Sequence, residues 1–454
     1  MDNIELMLML DVAAVSLCTL LLWKYGNLGY QHPATIYLIF HVTVVTFRLV
    51  VLLVGAQTLF TNWRGQYDPV TYPEIIRATL LADLIIFLMT LAWIKAHRDD
   101  ARKTAVALRK VWHKGGLSSR YIWYVVLVVF PIGFVALLLL TRLPVLGEPR
   151  VDLGEWSTST WALTIQTWCG LALLMLIYRY GFRLVLLAPM AIYLMIMLYQ
   201  GFHRFRVVIP IIFLSYIYLD QRRLRWPPLK LVGAMVICVL LFIPMKAVGR
   251  MWQSRAAFAE ILDYMGSSIQ ETYINPDSDM NLLDGTAATL TLVDEGKRFY
   301  YGETYFALLV NPVPRQWWEE KPGLNDFLKD ISTDGRPLAK MGTAVGLIGE
   351  LYANFGYPGL TLVPMLLAYW LARLYFRAYR APYYSITRLS YLVVACILIQ
   401  VYRDGLISLV LFTLVHMMPF CALIALHWIL PVRARQEDPN LFDSGPPASW
   451  GLAR

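Results

Sequence analysis

Stretches of about 20 uncharged, mostly apolar residues recur from one end of this chain to the other, and they limit its fold more than any other feature. In hydrocarbon every backbone N–H and C=O must be bonded internally, so such stretches cross a bilayer as helices. Of the 454 residues 58% are hydrophobic and only 16% charged, whereas an average soluble domain is about a quarter charged. The sequence is therefore read as an all-α, polytopic integral membrane protein. The net charge of +9 would suggest nucleic acid in a soluble protein. Here the basic residues fall between apolar runs, so lipid headgroups and membrane orientation account for them and no nucleic-acid partner is expected. Cys18, Cys169, Cys238, Cys396 and Cys421 are widely spaced inside apolar stretches, which implies no disulfide framework and no zinc site. The N-terminus is acidic and lacks the basic region of a cleaved leader, so the first run is expected to be a retained span.

Spans are expected near residues 4–23, 33–56, 77–94, 121–140, 160–178, 182–199, 206–219, 229–247, 343–376, 388–402 and 406–430. That makes about 11 transmembrane helices, within a range of about 10–14. The 206–219 run is short for a crossing, which is met by a deeper start or a tilt, and the 343–376 run is long enough to include a surface helix or a bend. Lys95–Arg120 carries eight Lys or Arg residues, and further basic clusters lie at Arg179 and Arg183, at Arg222 to Lys230, at Arg373 to Arg388, and at Arg433 and Arg435. Short basic loops stay in the cytoplasm, and all these clusters fall on one side of the expected topology. The N-terminus is then outside and the C-terminus inside. Residues 1–248 are read as an N-terminal helix bundle, 249–342 as a large external loop, 343–430 as C-terminal spans and 431–454 as a cytoplasmic tail. The external loop has apolar residues at helical spacing from Phe258 to Ile269 and aromatic pairs at Tyr300-Tyr301 and Trp317-Trp318. It is expected to be helical and to lie on the bilayer surface.

Four arginines depart from the charge rule. Arg204, Arg206, Arg250 and Arg403 all map to the outer boundary, where guanidinium forks can bind phosphate or carboxylate in bidentate fashion. Snorkelling to the interface, or pairing with a local acid such as Asp404, is the structural alternative. Asp11, Arg48 and Asp83 lie within early spans, and an ion pair of Arg48 with Asp83 or Asp11 is expected, because an unpaired charge costs about 2.5–3.5 kcal/mol at mid-membrane. In the loop, Arg315 and Lys321 flank Trp317 and Trp318, indoles suited either to sugar faces or to anchoring among headgroups. Glu350 and Asn354 fall on one helical face, with glycines nearby that permit close approach. Asp277 and Asp279 have the spacing of a cation-binding Asp-x-Asp, but beside Asn275-Pro276 they read as turn chemistry. Walker-type, His-Glu-x-x-His and Gly-x-Ser-x-Gly motifs are absent.

The Pro314-Arg315 to Lys321-Pro322 segment, the Gly349-Glu350-Leu351-Tyr352-Ala353-Asn354-Phe355-Gly356 segment and the Arg403-Asp404-Gly405 turn together resemble the Wzy-type oligosaccharide repeat-unit (O-antigen) polymerases. The resemblance covers mainly Tyr199 to Gly405, and Asp404 departs from that family's simpler Arg-Gly turn. It implies a GT-C-like, metal-independent, inverting glycosyltransferase without cofactor, placed in the bacterial inner membrane with a periplasmic N-terminus. Its substrate would be an undecaprenyl-pyrophosphate-linked oligosaccharide, with membrane lipids, a chain-length regulator and a flippase as partners. Glu350, Arg250, Arg403 and His203 are then the catalytic candidates, with Glu350 or His203 as base. Arg204, Arg206, Arg315, Lys321, Trp317, Trp318, Tyr352 and Asn354 are the substrate-binding candidates. A glycan ligase of the O-antigen type and a transporter or flippase of lipid-linked sugars are the competing readings, and a structural scaffold is a third.

Overall fold

The apolar runs fold as helices. The computed structural model describes residues 2–55, 60–63, 66–107, 117–140, 164–200, 205–222, 224–233, 259–260, 282–295, 299–310, 317–318, 320, 332–333, 336–337, 345–381 and 383–430. Six of the described helices are long and apolar enough to cross a membrane: Asn3–Tyr25, Pro33–Leu53, Tyr72–Asp100, Ser119–Leu139, Gly346–Arg380 and Ile386–Asp404. Leu406–His416 and Met418–Ile429 form a pair bent by 71°, a seventh span if counted as one. The bend follows a π-helical turn at Phe412–His416, and Pro419 opens the second helix, the two usual causes of a sharp kink. The expected runs at 160–178 and 182–199 become the shorter helices Thr167–Tyr180 and Leu184–Gln200, and the run at 206–219 becomes Phe205–Gln221. Most of the expected 229–247 span lies outside the described residues. Beside the helices, the described residues hold two short antiparallel hairpins, Phe60–Trp63 with Gln66–Pro69 and Ser332–Thr333 with Arg336–Pro337.

Local chemistry sets the helix ends. His32 caps Pro33–His41 by accepting the Ala34 N–H on Nδ1 at 3.1 Å, and Pro33 supplies the preset first turn. The outward faces of the spans are apolar: Met9 is 66% exposed, Leu20 68% and Leu127 65%. Water would not tolerate apolar bands of that extent, and lipid requires them.

Two units divide the chain. The first comprises Met1–Lys103, Gly266–Arg373 and Leu398–Val410, and the second Thr104–Met265, Leu374–Ile397 and Leu411–Arg454. The helix Leu282–Asp294, from the segment read as the external loop, belongs to the first unit together with the N-terminal spans. Within the first unit the helix Leu282–Asp294 is buried almost along its whole length. This corrects the expectation that the loop lies on the bilayer, at least for this piece. Its sequence explains the burial: Gly285, Ala287 and Ala288 are small, while the Thr286 and Thr289 hydroxyls bond to the carbonyls of Leu282 and Gly285. Such a helix presents little polarity on any side and packs closely.

The same helix corrects the expected pairing of Arg48. Its guanidinium grips Asp284 with two bonds, Nε to Oδ1 at 3.0 Å and Nη2 to Oδ2 at 2.7 Å, with both side chains buried. Asp11 and Asp83 face His41 instead, at 2.8 and 3.4 Å from Nε2. The bidentate fork needs both oxygens of one carboxylate in line, which Asp284 offers opposite Arg48. In the second unit Arg388 forms the matching pair with Asp220, Nε to Oδ2 at 2.9 Å and Nη2 to Oδ1 at 2.8 Å, and lies 4.5 Å over the Tyr379 ring. Arg388, one of the basic residues used to orient the chain, is thus also a packing residue.

Candidate functional site

The helix Gly346–Arg380 carries the residues on which the family resemblance rests, and its geometry begins with a break. Gly356 has φ 61° and ψ −150°, a left-handed conformation costly for a side-chain-bearing residue, and Pro358 follows without an N–H. The carbonyls of Ala353 and Asn354 therefore lose the regular helical donors four residues on, at Tyr357 and Pro358. Tyr300 and Tyr301 replace them, donating their backbone N–H groups to Ala353 and Asn354 at 3.0 and 2.9 Å. Tyr301 itself has φ 46°, unusual for a tyrosine and held by this docking. Asn354 completes the clasp: its Oδ1 accepts the Gly302 N–H at 3.2 Å and the Thr304 hydroxyl at 2.8 Å, and its Nδ2 donates to the Glu350 carbonyl at 2.9 Å. Asn354 is fully buried and its polar atoms are committed to the protein.

One turn earlier, Glu350 holds a second segment. Its Oε2 accepts the Leu406 N–H at 2.5 Å and its Oε1 the Ile407 N–H at 3.4 Å. Helix Ile386–Asp404 ends at the Arg403-Asp404-Gly405 turn, and Gly405 at φ 90° starts the next helix. A Cβ at Gly405 would overlap the Glu350 carboxylate, so only glycine lets the turn come this close. Glu350 is 1% exposed. The Tyr305 hydroxyl sits beside it, and burial together with the Glu350 charge raises that phenol above its usual range. The two segments singled out in the sequence, Glu350 and Arg403-Asp404-Gly405, are therefore joined. The joint leaves Arg403 and Asp404 half-buried at the turn, 34% and 29% exposed and 3.6 Å apart, with Gln400 bonded to the Asp404 carboxylate.

Tyr352 is buried and occupied. Its hydroxyl donates to Asp294 Oδ1 at 2.5 Å and accepts from Arg77 Nη2 at 3.1 Å, and Arg77 also bonds Asp294 and the Tyr357 hydroxyl. Its hydroxyl thus belongs to a network tying three helices of the first unit together.

Arg206 belongs to the second unit. It is 5% exposed at the start of helix Phe205–Gln221, its guanidinium lies 5.9 Å from the Phe205 ring, and its Nε and Nη1 have no hydrogen-bond partner among the described residues. Among the described residues no carboxylate pairs with it. Trp317 is 81% exposed and Trp318 39%. His203, Arg204, Arg250, Arg315 and Lys321, and the Asp277-x-Asp279 turn, lie outside the described residues.

Sequence reasoning missed the receiving ends of these contacts. Backbone N–H groups at Leu406, Ile407 and Gly302 carry no sequence signature, though Gly405 after Arg403-Asp404 and Gly356 before Pro358 marked the places where the chain had to turn. Helical composition and membrane-length apolar helices define the class, a helical membrane protein. No family model, curated protein or solved structure matches the chain.

Proposed function

We propose that this protein is a membrane-embedded glycosyltransferase that joins polyprenyl-pyrophosphate-linked oligosaccharide units at the outer face of the bacterial inner membrane. The observation that carries the proposal is Arg206, a buried guanidinium with two unpaired nitrogens. A buried charge of that kind is costly unless an anion answers it, and a pyrophosphate oxygen matches the geometry of the fork. In the reaction an acceptor sugar hydroxyl attacks the anomeric carbon of the donor glycan, the bond from that carbon to the pyrophosphate oxygen breaks, and the hydroxyl proton passes to a base. The leaving polyprenyl pyrophosphate gains negative charge, which a fixed cation in a dry site stabilises more than the ground state. The general base is sought at His203, three positions before Arg206 in the chain; within the first unit, Glu350 holds the turn that follows Arg403 with both its oxygens.

The test uses purified protein in liposomes with a radiolabelled polyprenyl-pyrophosphate oligosaccharide. The wild type should give a ladder of longer glycans and release the lipid pyrophosphate. Arg206→Ala should lose roughly 100-fold in rate, of the order seen when a single oxyanion-stabilising donor is removed, and Arg206→Lys should recover part of it. Movement of label across the bilayer with no elongation by the wild type would replace this reading with a transporter.

A further inference from the structure

Three membrane-length helices of the first unit bring Asp11, His41 and Asp83 together, and each offers a ligand atom within 4.8 Å of the other two. The Nε2 of His41 faces both carboxylates at once, 2.8 Å from Asp11 Oδ1 and 3.4 Å from Asp83 Oδ1. A neutral imidazole has one Nε2 proton and can satisfy one of these oxygens. Asp11 is fully buried, yet among the described residues its Oδ2 has no hydrogen-bond partner, and neither does Asp83 Oδ1. With both carboxylates ionised, the cluster carries more negative charge than one imidazole can balance, in a medium where each unbalanced charge costs about 2.5–3.5 kcal/mol. Arg48, the cation expected from the sequence to answer one of these acids, is committed to Asp284.

We propose that Asp11, His41 and Asp83 form a buried site for one divalent transition-metal ion. Ligands about 2.0–2.2 Å from such an ion stand about 3–3.6 Å apart, close to the two spacings seen at His41. One imidazole and two carboxylates suit zinc, manganese or cobalt, and their charges neutralise a dication. The unpaired Asp11 oxygen is already in place as a ligand. A cavity of about 30 Å³ adjoins His41, lined also by Tyr37, Thr286 and Tyr402. The site uses none of the residues given roles in glycosyl transfer and does not depend on that reading. It would clamp the first, second and third membrane-length helices.

Cobalt is the probe, because Co²⁺ bound by nitrogen and oxygen ligands absorbs in the visible and reports its coordination. Untagged, full-length protein in nanodiscs is stripped with chelator and titrated with Co²⁺. One ion per chain should bind, give a low-symmetry visible spectrum, and be displaced by Zn²⁺. His41→Ala should abolish that spectrum, and Asp83→Asn, at the more accessible ligand, should weaken binding while leaving the helices folded by circular dichroism. Failure of the wild type to bind Co²⁺ or Zn²⁺ would overturn the site and leave a proton-sharing cluster. Equal binding by wild type and Asp83→Asn would overturn it as well.

Discussion

At Gly405 two demands coincide: the left-handed backbone, and the approach of the Glu350 carboxylate to the Leu406 and Ile407 N–H groups. Gly405→Ala should cost more than the roughly 1 kcal/mol of a left-handed alanine, because the new methyl also displaces Glu350. Glu350→Ala should cost about 1–3 kcal/mol for each N–H left unbonded, and Glu350→Gln less, since the amide keeps one accepting oxygen. Thermal unfolding in detergent, followed by tryptophan fluorescence, ranks the three; an Ala variant at position 350 as stable as wild type would remove the anchor role. The buried Arg48–Asp284 pair makes a second case. Asp284→Asn should destabilise by about 3–5 kcal/mol, and Arg48→Met combined with Asp284→Leu should recover much of the loss, because the cost lies in stranding one charge. The need of Arg48 for a partner was legible in the sequence. Its partner was not, because Asp284 lies 236 positions away in a segment whose average polarity reads as a surface loop.

The Gly346–Arg380 helix owes its special geometry to Gly356 and Pro358, and the bend anticipated from its length alone has this physical cause. What the sequence could not convey was the destination of the carbonyls freed at the break, since the donors are backbone groups at Tyr300 and Tyr301. Asn354 locks the same junction with side-chain bonds. Asn354→Leu keeps the heavy-atom count and branching of the side chain and removes those bonds. It should therefore speed hydrogen exchange at residues 300–306 while exchange within Gly346–Ala353 changes little. Unchanged protection at 300–306 would mean that the two backbone bonds suffice. Pro358→Ala offers the complementary test: it restores an N–H that competes with Tyr301 for the Asn354 carbonyl, and should loosen the same segment by a different route.

For the whole molecule, helical class and membrane residence were legible because both depend on local composition: long apolar runs must be helices in lipid, and no distant contact alters that. The grouping of those helices was illegible, because it depends on which buried polar groups meet. Asp284 with Arg48 and Asp220 with Arg388 join segments 236 and 168 positions apart. Orientation belongs to a third category, since it is set by loop charge and the insertion process more than by packing. Lys95–Arg120 carries eight basic residues, and at about 1 kcal/mol for each basic residue near an anionic surface this loop alone should outweigh the acidic N-terminus. Single cysteines placed at Lys114 and at Gly154, in a background with the five native cysteines changed to Ser or Ala, check the result with an impermeant maleimide on intact cells. Gly154Cys should label at once and Lys114Cys only after permeabilisation. Labelling of both positions without permeabilisation would mean that no single span separates the two loops, whereas labelling at Gly154→Cys only after permeabilisation would overturn the outward placement of Arg206, which lies two expected spans further on.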